Sequence, residues 1–127
     1  MLIETVHDVL KAIEDNQRID SRNQVIENLR QIGLDDFGLV MIGMPNSRYP
    51  RLSQLLPSMA SDKVQTDWTG TAGPALLAQT NTFVRFLATS YVNLTRQSLA
   101  DAKILDFGCG YGRVIRSLYY YTQPENI

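Results

Sequence analysis

Cysteine and histidine are nearly absent from this sequence: its 127 residues include one of each, Cys109 and His7. A single cysteine excludes an intrachain disulfide, so the chain is not a disulfide-stapled secreted module. The two residues are too few for a Cys/His zinc site, and they lie in separate predicted elements, which disfavours Cys/His nucleophilic catalysis. We therefore expect a protein of a reducing, cytoplasmic compartment without a metal centre.

An excess of one charge and a long hydrophobic run are also missing. Twelve Lys and Arg against thirteen Asp and Glu leave a formal net charge of −1, which gives no reason to expect nucleic acid or a membrane surface as a partner. No apolar stretch approaches the roughly 20 residues that span a bilayer. The start, MLIETVHDVLKAIED, lacks the basic leader of a signal peptide.

Apolar residues recur at helical spacing along the first half of the chain. The pattern predicts a helix over residues 2–15, and a capping box from Ser21 to Gln24 begins a second helix that we expect to end at Gly33. Residues 34–44 fit either a third helix or a short strand, and helix is the favoured interpretation. Another short helix is expected to start at Ser61-Asp62 and to end near Gly70.

The second half opens with the longest predicted helix, which begins at Gly73-Pro74 with proline in its first turn. Its broad apolar face is expected to comprise Leu76, Leu77, Phe83, Val84, Leu87, Tyr91 and Leu94. Residues 103–107 have the character of a strand, and 108–112 form a glycine-rich turn. The last predicted helix, 113–121, is expected to bury Val114, Ile115 and Leu118.

The stretch with recognisable chemistry is D-x-G-x-G-x-G, which runs from Asp106 to Gly112. Glycines allow a sharp turn and a close ligand approach, and the following helix directs free N–H groups toward the loop. No Gly-Lys-Ser/Thr follows, so this is not a phosphate-gripping P-loop. In the dinucleotide pattern G-x-G-x-x-G the third glycine would fall on Arg113. The carboxylate of Asp106, two residues before the first glycine of the loop, repels pyrophosphate and favours a cationic group, such as the ammonium of an amino-acid moiety.

ILDFGCGYGR, residues 104–113, resembles motif I of the class I S-adenosylmethionine-dependent methyltransferases. Upstream, MPNSRYPRL, LLPSM and DWTGTAG more loosely resemble the helical N-terminal part of some bacterial methyltransferases. The resemblance implies S-adenosyl-L-methionine as the cofactor. It also implies a Rossmann-like α/β fold, of which the part present would be mostly helical with one short strand.

The resemblance also implies which residues bind the cofactor. The glycine loop would pack against its amino-acid and ribose parts, and the acid would lie near the methionine portion. Residues before the first strand would help to close the site. The cofactor-binding candidates are Asp106, Gly108, Cys109, Gly110, Gly112, Arg113, Trp68, Thr69 and Gly70. Catalytic residues are unknown, and Cys109 is expected to have a packing role.

The family pattern divides the chain into a helical cap or lid region, 1–70, and the start of the methyltransferase domain, 71–127. Only 14 residues follow Arg113, so that domain is expected to be incomplete and the isolated chain inactive. The expected function is methyl transfer to a small molecule or saccharide. The alternative is a non-catalytic helical module that dimerises through exposed apolar helix faces or through the unpaired strand.

Overall fold

A computed structural model describes residues 2–127, and their regular structure is entirely helical. Seven α-helices follow one another within this range, with 3-10 turns at Leu99–Asp101 and Pro124–Asn126. The helices are α1 Glu4–Asp15, α2 Arg22–Leu29, α3 Leu34–Ile42, α4 Pro50–Leu55, α5 Asp62–Thr69, α6 Gly73–Thr95 and α7 Arg113–Leu118. Among residues 2–127, no helix combines the length and the apolar character needed to cross a bilayer.

The first four helices enclose the larger core. It contains the buried stripe of α1 and the inner faces of α2 to α4, with Phe37, Leu29 and Met41 among its fully buried side chains. Burying aliphatic and aromatic side chains of this size is the main favourable contribution to folding. This core therefore supports α3, against which α6 and α7 pack.

Local signals explain where these helices begin. The predicted capping box of α2 is confirmed, because the Ser21 hydroxyl accepts from the Gln24 backbone N–H and the Gln24 side chain accepts from the Ser21 backbone N–H. The prediction that α2 ends at Gly33 is wrong. The helix ends at Leu29, and Gly33 has extended backbone and is the N-cap residue of α3.

The ambiguous segment 34–44 forms α3, the favoured alternative. Gly38 in its middle is buried and faces α6, where a Cβ would lie 2.6 Å from Leu77 Cδ1. The absence of a side chain at Gly38 allows the two helices to approach closely. Asn81, one turn further along α6, is fully buried and donates from Nδ2 to Asp35 Oδ1 at 3.0 Å.

The helix α6 starts at Gly73 as predicted, but its apolar face is only partly buried. Leu76, Leu77 and Val84 are buried, whereas Phe83 and Leu94 are exposed by 51% and 85%. Because α6 has 23 residues, it is longer than the elements packed against it. Its outward apolar residues therefore have little cover from residues 2–127.

The expected α/β fold is wrong for the described chain, because no strand or sheet forms within residues 2–127. Residues 103–107 lack regular structure, although the Ile104 N–H donates to the Asn126 carbonyl at 2.7 Å. Leu105 and Phe107 are exposed by 88% and 96%. A strand requires a neighbour to pair its backbone groups, and none of the described segments supplies one.

Gly38→Ala tests the close approach of α3 and α6. Within a helix, alanine is more stabilising than glycine by about 1 kcal/mol, but overpacking against Leu77 lowers the stability by about 1–3 kcal/mol. We expect a net fall of about 1 kcal/mol in the free energy of unfolding, measured by urea denaturation.

Leu77→Ala provides the matched background, because it removes the side chain that the new methyl group would meet. In that background we expect Gly38→Ala to be clearly less destabilising, because only the 3.2 Å approach to Asn81 Nδ2 remains, and this gives the coupling expected of residues in contact. Stabilisation by Gly38→Ala in the wild-type background would contradict the close contact.

Candidate functional site

The glycine loop and the end of α5 line a pocket of about 260 Å³. Seven of the nine cofactor residues predicted from the sequence lie on its wall. They are Trp68, Thr69, Asp106, Gly108, Cys109, Gly110 and Arg113. The fold thus brings together two segments that lie far apart in the sequence.

The loop has the left-handed backbone that its glycines permit. Gly108, Gly110 and Gly112 have φ angles of +74°, +56° and +77°, a region that other residues rarely adopt. The Gly112 N–H donates to the Cys109 carbonyl at 2.9 Å and closes the turn. Cys109 is exposed, and its side chain lies at the pocket wall rather than in the core, so the expected packing role has no buried contact to support it.

Trp68 forms the opposite wall and lies against the loop. A Cβ on Gly110 would be 3.2 Å from Trp68 Cζ3, so the indole edge touches the loop backbone. The Trp68 and Tyr111 rings meet edge to face, with centroids 6.4 Å apart. Even so, 69% of Trp68 is exposed, which leaves much of its ring surface free for a ligand.

Gln65 holds α5 in place beneath Trp68. It is buried, donates to the Ala60 carbonyl at 2.7 Å and accepts from the Gly73 N–H at 3.1 Å. These two bonds connect the segment just before α5 to the start of α6. Gly70 follows α5 as its C-cap with a left-handed φ of +80°, which fits the predicted end of this helix.

Two opposite charges face the same pocket. Asp106 and Arg113 both line it, and within residues 2–127 neither side chain has a hydrogen bond or an ion pair. The two ion pairs of the described chain lie elsewhere, at Lys63–Asp67 and Asp35–Arg85. The arrangement leaves a carboxylate and a guanidinium available to a ligand that carries both charges.

The remaining two candidates lie beside the pocket rather than on its wall. Gly70 caps α5, and Gly112 precedes α7 and accepts from the Arg116 guanidinium through its carbonyl. Tyr111 and Val114 do line the pocket, although neither is among the candidates chosen from the sequence. Their place inside and just after the glycine motif is the only signal that could have identified them.

Helix α7 is shorter than predicted and buries a different face. It ends at Leu118 rather than at residue 121, and Arg116, Ser117 and Leu118 are its buried residues. Val114 and Ile115, expected in the core, are only partly buried. Of the three residues that were predicted to be buried in this helix, only Leu118 is buried.

A side-chain hydrogen bond fastens α7 to α6. The Ser117 hydroxyl donates to Asn81 Oδ1 at 2.8 Å, and both residues are buried. Because α7 begins directly after Gly112, this bond also fixes the end of the glycine loop.

No protein-family model, curated protein or solved structure matches the chain. Among residues 2–127, no group of three or more His, Cys, Asp and Glu side chains is arranged to hold a metal ion.

Gly110→Ala tests the contact between the loop and Trp68. The new methyl group would meet the indole edge, so we expect Trp68 to move outward. Because Trp68 is the sole tryptophan, its emission should shift to the red and acrylamide should quench it more strongly.

Gly108→Ala is the matched control, since it carries similar backbone strain at positive φ but its Cβ meets no atom within 4 Å. We expect it to lower stability and to leave the Trp68 emission unchanged. Equal changes in emission from both variants would contradict the direct contact.

Proposed function

We propose that this chain carries the S-adenosylmethionine-binding loop of a methyltransferase. The observation that carries the proposal is the shared pocket of Asp106 and Arg113, which has a glycine loop on one side and an aromatic ring on the other. The resemblance of residues 104–113 to motif I of that enzyme class supports the same conclusion. The upstream resemblance suggests a small molecule or saccharide as the methyl acceptor.

The charges of the pocket match the amino-acid end of the cofactor. That end carries an ammonium group and a carboxylate, which suit Asp106 and Arg113 respectively. Hydrogen bonds to charged groups contribute roughly 1.5–3 kcal/mol each. A pyrophosphate would instead meet the Asp106 carboxylate at close range, which is unfavourable.

The remaining walls match the other features of the cofactor. S-adenosylmethionine, when bound, supplies an activated methyl group on a positively charged sulfonium. The exposed face of Trp68 can attract a cation through its π electrons. The glycine loop offers backbone N–H groups without side chains in front of them, which favours close approach of the polar ribose.

Asp106→Asn tests this assignment with two ligands. The substitution keeps the shape of the side chain but removes its charge, so we expect S-adenosylmethionine to bind at least about tenfold more weakly, equivalent to about 1.4 kcal/mol. Binding of 5′-methylthioadenosine, which lacks the amino-acid end, should be unchanged. Isothermal titration measures both dissociation constants.

Asp101→Asn is the control, because Asp101 is exposed and does not line the pocket. It should leave both affinities unchanged. If Asp106→Asn left the affinity for S-adenosylmethionine intact, or weakened the binding of both ligands equally, the assignment of Asp106 to the ammonium group would be wrong.

A second candidate function is self-association through exposed apolar surface. Phe86 and Leu94 on α6 are exposed by 70% and 85%, and Leu105 and Phe107 are exposed on the irregular segment 103–107. Large apolar side chains that are exposed close together are typical of interaction surfaces, whereas single ones are common on any protein. We propose that a second copy of the chain covers one of these two surfaces.

Sedimentation velocity separates the two surfaces. If α6 forms the contact, Phe86→Ser with Leu94→Ser should make the dimer dissociate, whereas Leu105→Ser with Phe107→Ser should not. The reverse pattern assigns the contact to segment 103–107. A wild-type chain that stays monomeric at every concentration would contradict this second function.

A further inference from the structure

Arg116 is a buried cation without a carboxylate partner among residues 2–127. It is 9% exposed, and the two ion pairs of the described chain involve other residues. Burial lowers the pKa of its guanidinium from the usual value. A charge is costly to bury unless polar groups compensate it, so the contacts of Arg116 need an explanation.

The compensation comes from backbone carbonyls. Nη1 donates to the carbonyls of Tyr111 and Gly112, the latter at 2.9 Å, and Nη2 donates to the Ser58 carbonyl at 2.6 Å. The Nε atom is buried and has no partner within the described chain. The guanidinium therefore joins the glycine loop to the segment that precedes α5.

These two attachment points adjoin the two walls of the pocket: Tyr111 lines it, whereas Gly112 and Ser58 lie beside it. Tyr111 and Gly112 lie in the loop, and Ser58 lies shortly before the start of α5. The far end of α5 carries Trp68, whose edge contacts Gly110. Few side chains other than arginine could hold both walls, because its planar fork presents several donors in a fixed geometry.

We propose that Arg116 is a positioning residue that sets the separation of the glycine loop from α5, and thereby the affinity of the pocket for S-adenosylmethionine. This inference rests on the proposed cofactor function. The loop also fits tightly around the guanidinium, since a Cβ on Gly112 would lie 2.9 Å from Nη1. A glycine at position 112 thus serves this contact as well as the turn.

Arg30 provides a matched control within the same chain. Its guanidinium donates to the Tyr119 carbonyl at 2.9 Å and to the Thr122 carbonyl at 2.7 Å. This is the same chemistry at the other end of α7, away from the pocket. Loss of Arg30 should cost stability without altering the pocket.

The experiment compares Arg116→Lys and Arg116→Ala with Arg30→Lys and Arg30→Ala. Isothermal titration gives the affinity for S-adenosylmethionine, acrylamide quenching of Trp68 reports the pocket without ligand, and thermal denaturation gives stability. We expect both Arg116 variants to bind at least about tenfold more weakly and to show stronger quenching of Trp68. The Arg30 variants should lower only the Tm.

Chemical rescue distinguishes positioning from general destabilisation. Ethylguanidinium, added well below denaturing concentrations, should restore both binding and quenching in Arg116→Ala by occupying the vacated space. Ethylguanidinium should not restore binding or quenching in Arg116→Lys, because the lysine side chain occupies the space that the added cation would need. If Arg116→Ala does not fold, Arg116→Lys alone provides the test.

Failures of the two proposals can be told apart. If the wild-type chain does not bind S-adenosylmethionine, the cofactor function fails, and quenching of Trp68 alone decides whether Arg116 holds the two walls. If the wild type binds and Arg116→Lys binds equally well with unchanged quenching, the positioning role is overturned. Equal effects of the Arg30 and Arg116 variants on affinity would also overturn it.

Discussion

The attachment of α7 to α6 is the constraint on which the candidate site depends. Ser117 donates to the buried Asn81, and the adjacent Arg116 donates to the loop that precedes the helix. Asn81 in turn donates to Asp35 at the start of α3. Hydrogen bonds therefore link the start of α3 to α6 and α6 to α7, and Arg116 of α7 joins the glycine loop to the segment that precedes α5.

The site is formed by two segments, the glycine loop and the end of α5, and not by the glycine motif alone. The glycine loop provides a turn with positive φ and the Asp106 carboxylate, whereas α5 provides Trp68 and Thr69. The separation of these two segments depends on the hydrogen bonds of Gln65 and Arg116, which do not line the pocket. Substitutions at these buried positions can therefore alter binding without touching a ligand.

Local features can be predicted from the sequence, and features that depend on distant partners cannot. The capping box of α2, the end of α5 near Gly70 and the start of α6 each depend on a few neighbouring residues. The apolar run at 103–107 predicts a strand, but strand formation requires a partner that residues 2–127 do not supply. Hydrophobic periodicity also misses the buried side of α7, because it does not anticipate a buried arginine bonded to carbonyls. Seven of the nine residues that line the pocket follow from the resemblance, whereas Tyr111 and Val114 do not. The division of the chain at residue 70 stays a prediction.

The central claim is that the glycine loop itself contacts S-adenosylmethionine, and NMR of protein labelled with ¹⁵N-glycine tests it most directly. The chain has eight glycines, so each amide can be assigned by substitution. On titration with S-adenosylmethionine, we expect the amide signals of Gly108, Gly110 and Gly112 to shift and those of Gly33 and Gly43 to stay in place. Absence of any shift, or shifts confined to the two glycines that flank α3, would contradict it.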